Sequence, residues 1–156
     1  MNLPERFDLT YIDQNNEKVR PIMLHRAVFG SIERFIGILT EHFAGAFPTW
    51  LAPVQINLLP VNNLYHLDYA HELVHLFMDE KFRVQLDDSE EKLGYRLRQS
   101  QLKKMPYTLV IGDQEVANKT VTYRKYGTTE QITVSIDDFI ALVHQEIKAL
   151  ALLKSA

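Results

Sequence analysis

The chain has 156 residues, 46% hydrophobic and 24% charged, with a formal net charge of −3 at pH 7; this balance excludes disorder as the main state and a surface that binds nucleic acid throughout, while leaving room for a local basic patch. A folded chain of this size buries about 68–70% of its unfolded surface, enough for a core without staples. Without cysteine it makes no disulfide, thiol nucleophile, iron–sulfur cluster or thiolate zinc site of its own; no apolar run reaches the roughly 18 residues of a membrane helix, no signal-peptide core opens it, and a cytoplasmic home is expected.

Residues 6–13 set Phe7, Leu9 and Tyr11 against Asp8, Thr10 and Ile12, which predicts a strand. Gln14, Asn15 and Asn16 read as a turn, and residues 19–29 as the returning strand of an antiparallel hairpin. Ser31 is placed to cap a helix whose apolar face is Ile32, Phe35, Ile36, Leu39 and Phe43. Pro48 and Pro53 cannot share one helix, and a domain boundary is placed there, giving domains 1–52 and 53–156.

Beyond the prolines the period switches regularly. Strands are predicted over 54–60, 82–86 and 107–112, with helices over 66–80 and 90–104 between them. A hairpin over 121–134 turns at Gly127, and Ser135 caps a last helix, with Asp138 at capping-box spacing and Phe139, Val143, Ile147 and Leu150 as its stripe. The fold class is therefore α/β: a mixed five-stranded sheet flanked by helices, preceded by a β-hairpin and a helix.

Three segments carry candidate chemistry. His71, Glu72 and His75 spell H-E-x-x-H, in which two imidazoles four apart on a helix hold zinc and the glutamate polarises its water. No third ligand follows and the helix's apolar stripe lies elsewhere, so a plain surface helix is the preferred reading over a small zinc hydrolase. Residues 92–104 hold five cations and no acid directly after the acidic run 87–91. Lys92, Arg96, Gln99 and Lys103 fall on one stripe, and Tyr123 and Tyr126 interleave with Arg124 and Lys125. That pattern suits unstacked RNA bases; its bland alternative is a solvated face matched to the helix dipole. In the third segment a strand passes through Gly30 into a helix bearing Arg34 in its first turn, an arrangement suited to phosphate. His25 alone reads more readily as a hydrogen-bonded histidine than as a ligand.

Residues 6–13 and 20–55 resemble the end of the catalytic domain of the threonyl-tRNA synthetase family, with Gly30, Ser31, Glu33 and Arg34 matching the G-S-x-E-R of class II motif 3. Residues 53 to about 153 are similar to that family's anticodon-binding domain, through the run Glu91 to Arg98, Pro106–Tyr107, and Gly112 to Val116. The resemblance implies ATP-dependent activation of threonine and its transfer to threonine tRNA, by a homodimer, with no role for DNA or membrane. It implies that Arg34 holds the ATP phosphates and that Ser31 lies in the same nucleotide-binding stretch. It makes His25 one ligand of a zinc that binds threonine's hydroxyl and so rejects valine. It places Arg98, Lys104, Glu115 and Arg124 at the anticodon, beside Lys92 and Arg96 of the basic run. The other zinc ligands and the upstream motifs have no counterpart here, so the chain alone is expected to bind neither ATP nor zinc and to make no adenylate. Ser89 and Glu90 stand where the family usually has arginine and asparagine, which brings a carboxylate to an RNA contact; Lys104 replaces an arginine and loses its planar fork. A stand-alone RNA- or protein-binding paralog is the alternative within the same fold.

Overall fold

The computed structural model describes residues 3–150, which form two compact units divided between Gly37 and Ile38. In the first, helix α1 (Leu3–Arg6) precedes strands β1 (Tyr11–Ile12) and β2 (Lys18–Val19), paired antiparallel with Tyr11 opposite Val19. The Asp13 carboxylate closes the turn by accepting from the amides of Asn15 and Glu17, both at 2.9 Å. The hairpin is thus present, but far shorter than its alternating sequence predicts. Residues 3–6 are helical, and from Arg20 to Ala27 the chain has no regular structure. Alternation alone does not sustain a strand that has one neighbour, and Pro21 cannot donate to a ladder. Arg20 instead ties this segment together, donating to the Pro4 carbonyl and to Asp8, each at 3.0 Å.

Helix α2 (Ile32–His42) starts where expected, with the Ser31 hydroxyl accepting the Arg34 amide at 3.3 Å. Its apolar stripe is not buried: Ile32 and Ile36 are exposed, and Phe35, Leu39 and Phe43 are half-buried.

The second unit is built on the sheet order β4-β3-β5-β6-β7. Strand β3 (Ile56–Pro60) is parallel to β4 (Val84–Leu86) and to β5 (Tyr107–Ile111); β6 (Thr120–Lys125) and β7 (Ile132–Ser135) continue antiparallel. Every residue of β3 is buried, as an inner strand covered on both faces requires. One face meets α3 (Asn63–Asp79) and α6 (Ile136–Lys148), where the Phe139 ring of α6 packs with Phe77 of α3 and with Tyr107 and Tyr123 of the sheet at centroid distances of 5.3–5.6 Å. The predicted five-stranded mixed sheet is therefore present, strand for strand.

Differences lie at the ends of elements. Asn62 caps α3 through its side chain, accepting the Leu64 amide at 2.8 Å, so the helix begins three residues before the expected start. Helix α4 spans only Leu93–Leu102, because Asp87 and Ser89 satisfy each other locally, hydroxyl to carboxylate at 2.7 Å, in place of a helical turn. Helix α5 (Asp113–Asn118), closed by Lys119 at φ 54°, has no counterpart in the sequence reading, being too short to show a period. Ser135 caps α6 as predicted, accepting the Asp138 amide at 3.1 Å. No described helix is long and apolar enough to cross a membrane.

The proline segment is packed on the second unit. Arg83 donates to the carbonyls of Ala52 at 2.8 Å and Trp50 at 3.0 Å, and the buried Gln55 donates to that of Thr49 at 2.8 Å. Residue 52 therefore sits within a docked segment, whereas the packing boundary falls between Gly37 and Ile38.

Candidate nucleic-acid interface

The two faces of β6 part company by strand alternation. Val121 and Tyr123 are buried on the α6 side, while Thr120, Thr122 and Arg124 point to the other. On that second face α4 lies against β3, and its buried Ser100 meets Thr108 of β5, hydroxyl to hydroxyl at 2.6 Å. Thr108 is directly opposite Arg124, and Thr122 lies between Val110 and Thr133. Beside α4 there is thus a polar strip carried by β6 and β7.

Glu115 of α5 reaches this strip. One carboxylate oxygen accepts the Gly112 amide at 2.9 Å, the other the Thr122 hydroxyl at 2.6 Å, and Thr122 is within 2.7 Å of the Thr133 hydroxyl. Each oxygen keeps a free lone pair. Arg124 is half-buried, and its Nε is a buried donor with no partner among the described residues; the donor Gln101 Nε2 on α4 and the acceptor Asn57 Oδ1 on β3 are likewise buried without one. Glu115, a carboxylate with spare acceptor capacity, is thus held at Thr122, two strand positions from the Arg124 guanidinium, on a face that gathers unsatisfied polar atoms.

The remaining candidates divide. Lys92 and Arg98 are exposed; Arg98 lies about 200° around α4 from the inward-facing Ser100. Arg96 is a correction to the RNA-facing stripe. It is 4% exposed, and its guanidinium donates to the Asp87 carbonyl at 2.8 Å and the Pro60 carbonyl at 2.6 Å, so it holds strand ends together from inside. Lys104 donates its ammonium to the Ala44 carbonyl and lines a cavity of about 130 Å³ with Phe47, Pro53 and Met105. The interleaved aromatics and cations are also separated: Tyr123 is buried, and Lys125 pairs with Glu146 and lies 5.4 Å from the centre of the Tyr107 ring, on the face opposite Arg124.

In the first unit His25 is exposed beside a small apolar pocket of about 40 Å³ with Leu3, Pro4 and Met23. Arg34 is exposed, and Ser31 is engaged as a cap. His71, Glu72 and His75 are exposed on α3, with Glu72 paired to Lys119 at 3.6 Å. Among the described residues no group of three or more His, Cys, Asp or Glu side chains is placed to hold a metal. His25 is a single exposed donor, and the described residues do not complete a zinc site around it.

Thr122 and Thr133 belong to the strip, although neither stands out by residue type or period. Thr122 and Arg124 at strand spacing, with Glu115 seven residues before Thr122, were the available signal; it becomes legible only once α5 is known to turn Glu115 back onto β6.

Residues 54–146 match the family model described as anticodon binding domain, and residues 1–43 match that of the tRNA synthetase class II core domain (G, H, P, S and T). The chain is 51% identical over 147 residues to the threonine–tRNA ligase of Lactobacillus acidophilus, covering 94% of this chain and 23% of that protein. It is likewise 51% identical over 150 residues to the threonine–tRNA ligase of Caldanaerobacter subterraneus subsp. tengcongensis, covering 96% and 23%. The solved RNA binding domain of threonyl-tRNA synthetase from Cryptosporidium parvum Iowa II superposes with a TM-score of 0.72 at 33% identity, over 92% of this chain and 36% of that one. The chain spans about a quarter of the length of the curated relatives it matches. With its five-stranded sheet and polar strip inside residues 54–146, this chain belongs to the anticodon-binding-domain family, preceded by the end of a class II synthetase core domain, and corresponds to the C-terminal part of threonyl-tRNA synthetases.

Proposed function

We propose that this chain serves as the C-terminal part of a threonine–tRNA ligase and that the strip beside α4 receives the anticodon loop of threonine tRNA. Glu115 accepts a hydrogen bond from a base amine through its spare lone pair, and Arg124 stacks on a base or bonds to its edge. Lys92 and Arg98, free on the helix surface, meet phosphates. The observation that carries this reading is the line Glu115–Thr122–Thr133 on the same sheet face as the half-buried Arg124: a carboxylate with spare acceptor capacity and a guanidinium lie close enough together to address one RNA loop.

In the full ligase, a cytoplasmic homodimer, Arg34 neutralises ATP phosphates, Ser31 shapes the same nucleotide-binding stretch, and His25 is one of several zinc ligands. The exposed guanidinium of Arg34 in the first turn of α2 supports the phosphate role. The chain alone makes no threonyl-adenylate; its match to the core domain is limited to residues 1–43. By family the domains are 1–52 and 53–156, a division supported by matches that end at 43 and resume at 54, with residues 49–52 a connecting segment that packs against the second domain; residues 151–156 lie outside the described structure.

The test is binding of the threonine anticodon stem-loop and an anticodon-altered version to the whole chain, by fluorescence anisotropy at two salt concentrations. The cognate loop binds more tightly at both, and Arg124→Ala weakens it by about tenfold, the scale of one lost base contact. Equal affinity for the two loops, unmoved by Arg124→Ala, overturns the reading.

A further inference from the structure

Helix α5 has six residues, too few to be stable by its own hydrogen bonds, yet it carries Glu115. Its position must come from what grips it. Helix α3 does so at both ends. At the start, His66 is buried, with 5% of its side chain exposed, and its Nε2 lies 3.0 Å from the carboxylate of Asp113, the first residue of α5. Its other nitrogen, Nδ1, accepts the Asn62 amide at 3.1 Å. That acceptor role fixes the tautomer: Nδ1 has no proton, so Nε2 carries it and donates to Asp113. At the far end, the Lys119 ammonium lies 4.5 Å from the centre of the Tyr69 ring and 3.6 Å from Glu72, and the Tyr69 hydroxyl donates to the Thr120 carbonyl at 3.3 Å. His66, Tyr69 and Glu72 follow at three-residue spacing, one ridge of α3.

We infer that this ridge is a clamp that positions Glu115 for base reading, making His66 and Asp113 positioning residues of RNA recognition although neither lies on the strip. The inference rests on the anticodon reading above. Its geometry is direct: fixing Asp113 fixes the neighbouring Gly112 amide, which donates to one Glu115 oxygen, and fixing Lys119 fixes the strand entry that delivers Thr122 to the other. Glu72, which the sequence offers as part of a metal motif, acts here as an anchor for Lys119.

The experiment uses the whole chain and the two stem-loops, with Asp113→Ala as the main variant. Asp113 is 96% exposed, so its loss leaves the core intact; His66→Gln is the second variant, and Glu115→Gln and Arg124→Ala are references. Asp113→Ala lowers discrimination between the loops by about threefold to tenfold. The double variant Glu115→Gln with Asp113→Ala loses no more than Glu115→Gln alone, because both act through one contact. Independently of RNA, amide exchange at Gly112 rises by about tenfold in Asp113→Ala and in His66→Gln. Unchanged Gly112 exchange in both variants overturns the clamp, as does full discrimination in Asp113→Ala where Glu115→Gln has lost it. If Glu115→Gln and Arg124→Ala change no RNA affinity, the anticodon reading falls, and exchange at Gly112 alone decides whether α3 positions Glu115.

Discussion

The two units are made from similar apolar material and treat it differently. Between Leu3 and Gly37, Phe7, Ile22, Leu24, Val28, Phe29 and Ile32 are all exposed, and order comes from one arginine, one turn and the stacking of Phe29 on Phe35. From Ile38 onward, Phe77, Tyr107 and Phe139 are fully buried and touch in sequence-distant pairs. Apolar residues stabilise a fold only where a second layer covers them. The second unit has its layers within the chain; the first is a hairpin and a helix in which the described residues supply no second layer.

The sharpest test sets one buried ring against one exposed side chain. Phe139→Ala removes a side chain that packs against Phe77, Tyr107 and Tyr123 and lowers the unfolding free energy by about 3–5 kcal/mol. Ile32→Ala, at an exposed position, changes it by less than about 0.5 kcal/mol. Urea unfolding followed by the single tryptophan reads both, since Trp50 lies in the segment that Arg83 ties to the second unit. Comparable losses from the two substitutions would show that the units share one cooperative core.

The same contrast explains what could be read in advance. Where buried positions repeat, as in Leu73 and Phe77 or Phe139 and Val143, the period names the element and its inner face, and the sheet follows from the strand order. In the hairpin, alternation in residues 6–13 predicts a strand that no second neighbour supports. Arg96 shows another limit: a cation in a basic run looks solvated in sequence, and only the carbonyls left over at the ends of β3 and β4 reveal why it turns inward. Glu115 and Arg124 were legible through the family's pattern, whereas their hydroxyl partners Thr122 and Thr133 required the strand register.

A second, smaller effect belongs to the closed unit. Burial, and then the Glu146 carboxylate, push the Tyr107 hydroxyl well above its ordinary value of 10.0; burial raises Tyr69 and Tyr123 too. In the unfolded chain a tyrosine phenol ionises near pH 10, while in the fold Tyr107 keeps its proton above that pH. Above that pH the unfolded state therefore binds fewer protons, and stability falls as pH rises, by about 1.4 kcal/mol per pH unit for each phenol so held. Below pH 10 this contribution is fully present. Tyr107→Phe removes one such phenol, so its stability declines less steeply between pH 10 and 12 than that of the unaltered chain; identical slopes would show that the Tyr107 hydroxyl is not held protonated by the fold.

The smallest effect concerns the open unit and locates what order it has. Arg20 bridges the Pro4 carbonyl and the Asp8 carboxylate, with the Asp8 side chain largely in water and that of Arg20 half exposed. An exposed pair of this kind contributes about 0.2–1 kcal/mol, too little to move a global transition. It is enough to matter locally, because the pair joins α1 to the end of β2 where no buried side chain does so apart from Pro4. In Arg20→Ala, chymotrypsin cleaves after Phe7 and Tyr11 about twofold to fivefold faster, following the larger fraction of locally opened chain, while the Trp50 transition keeps its midpoint. Faster cleavage with an unmoved midpoint means that the ends of the molecule open by separate equilibria; a midpoint that shifts with the cleavage rate means that the arginine supports the sheet as well, and the contrast between the units is then one of degree.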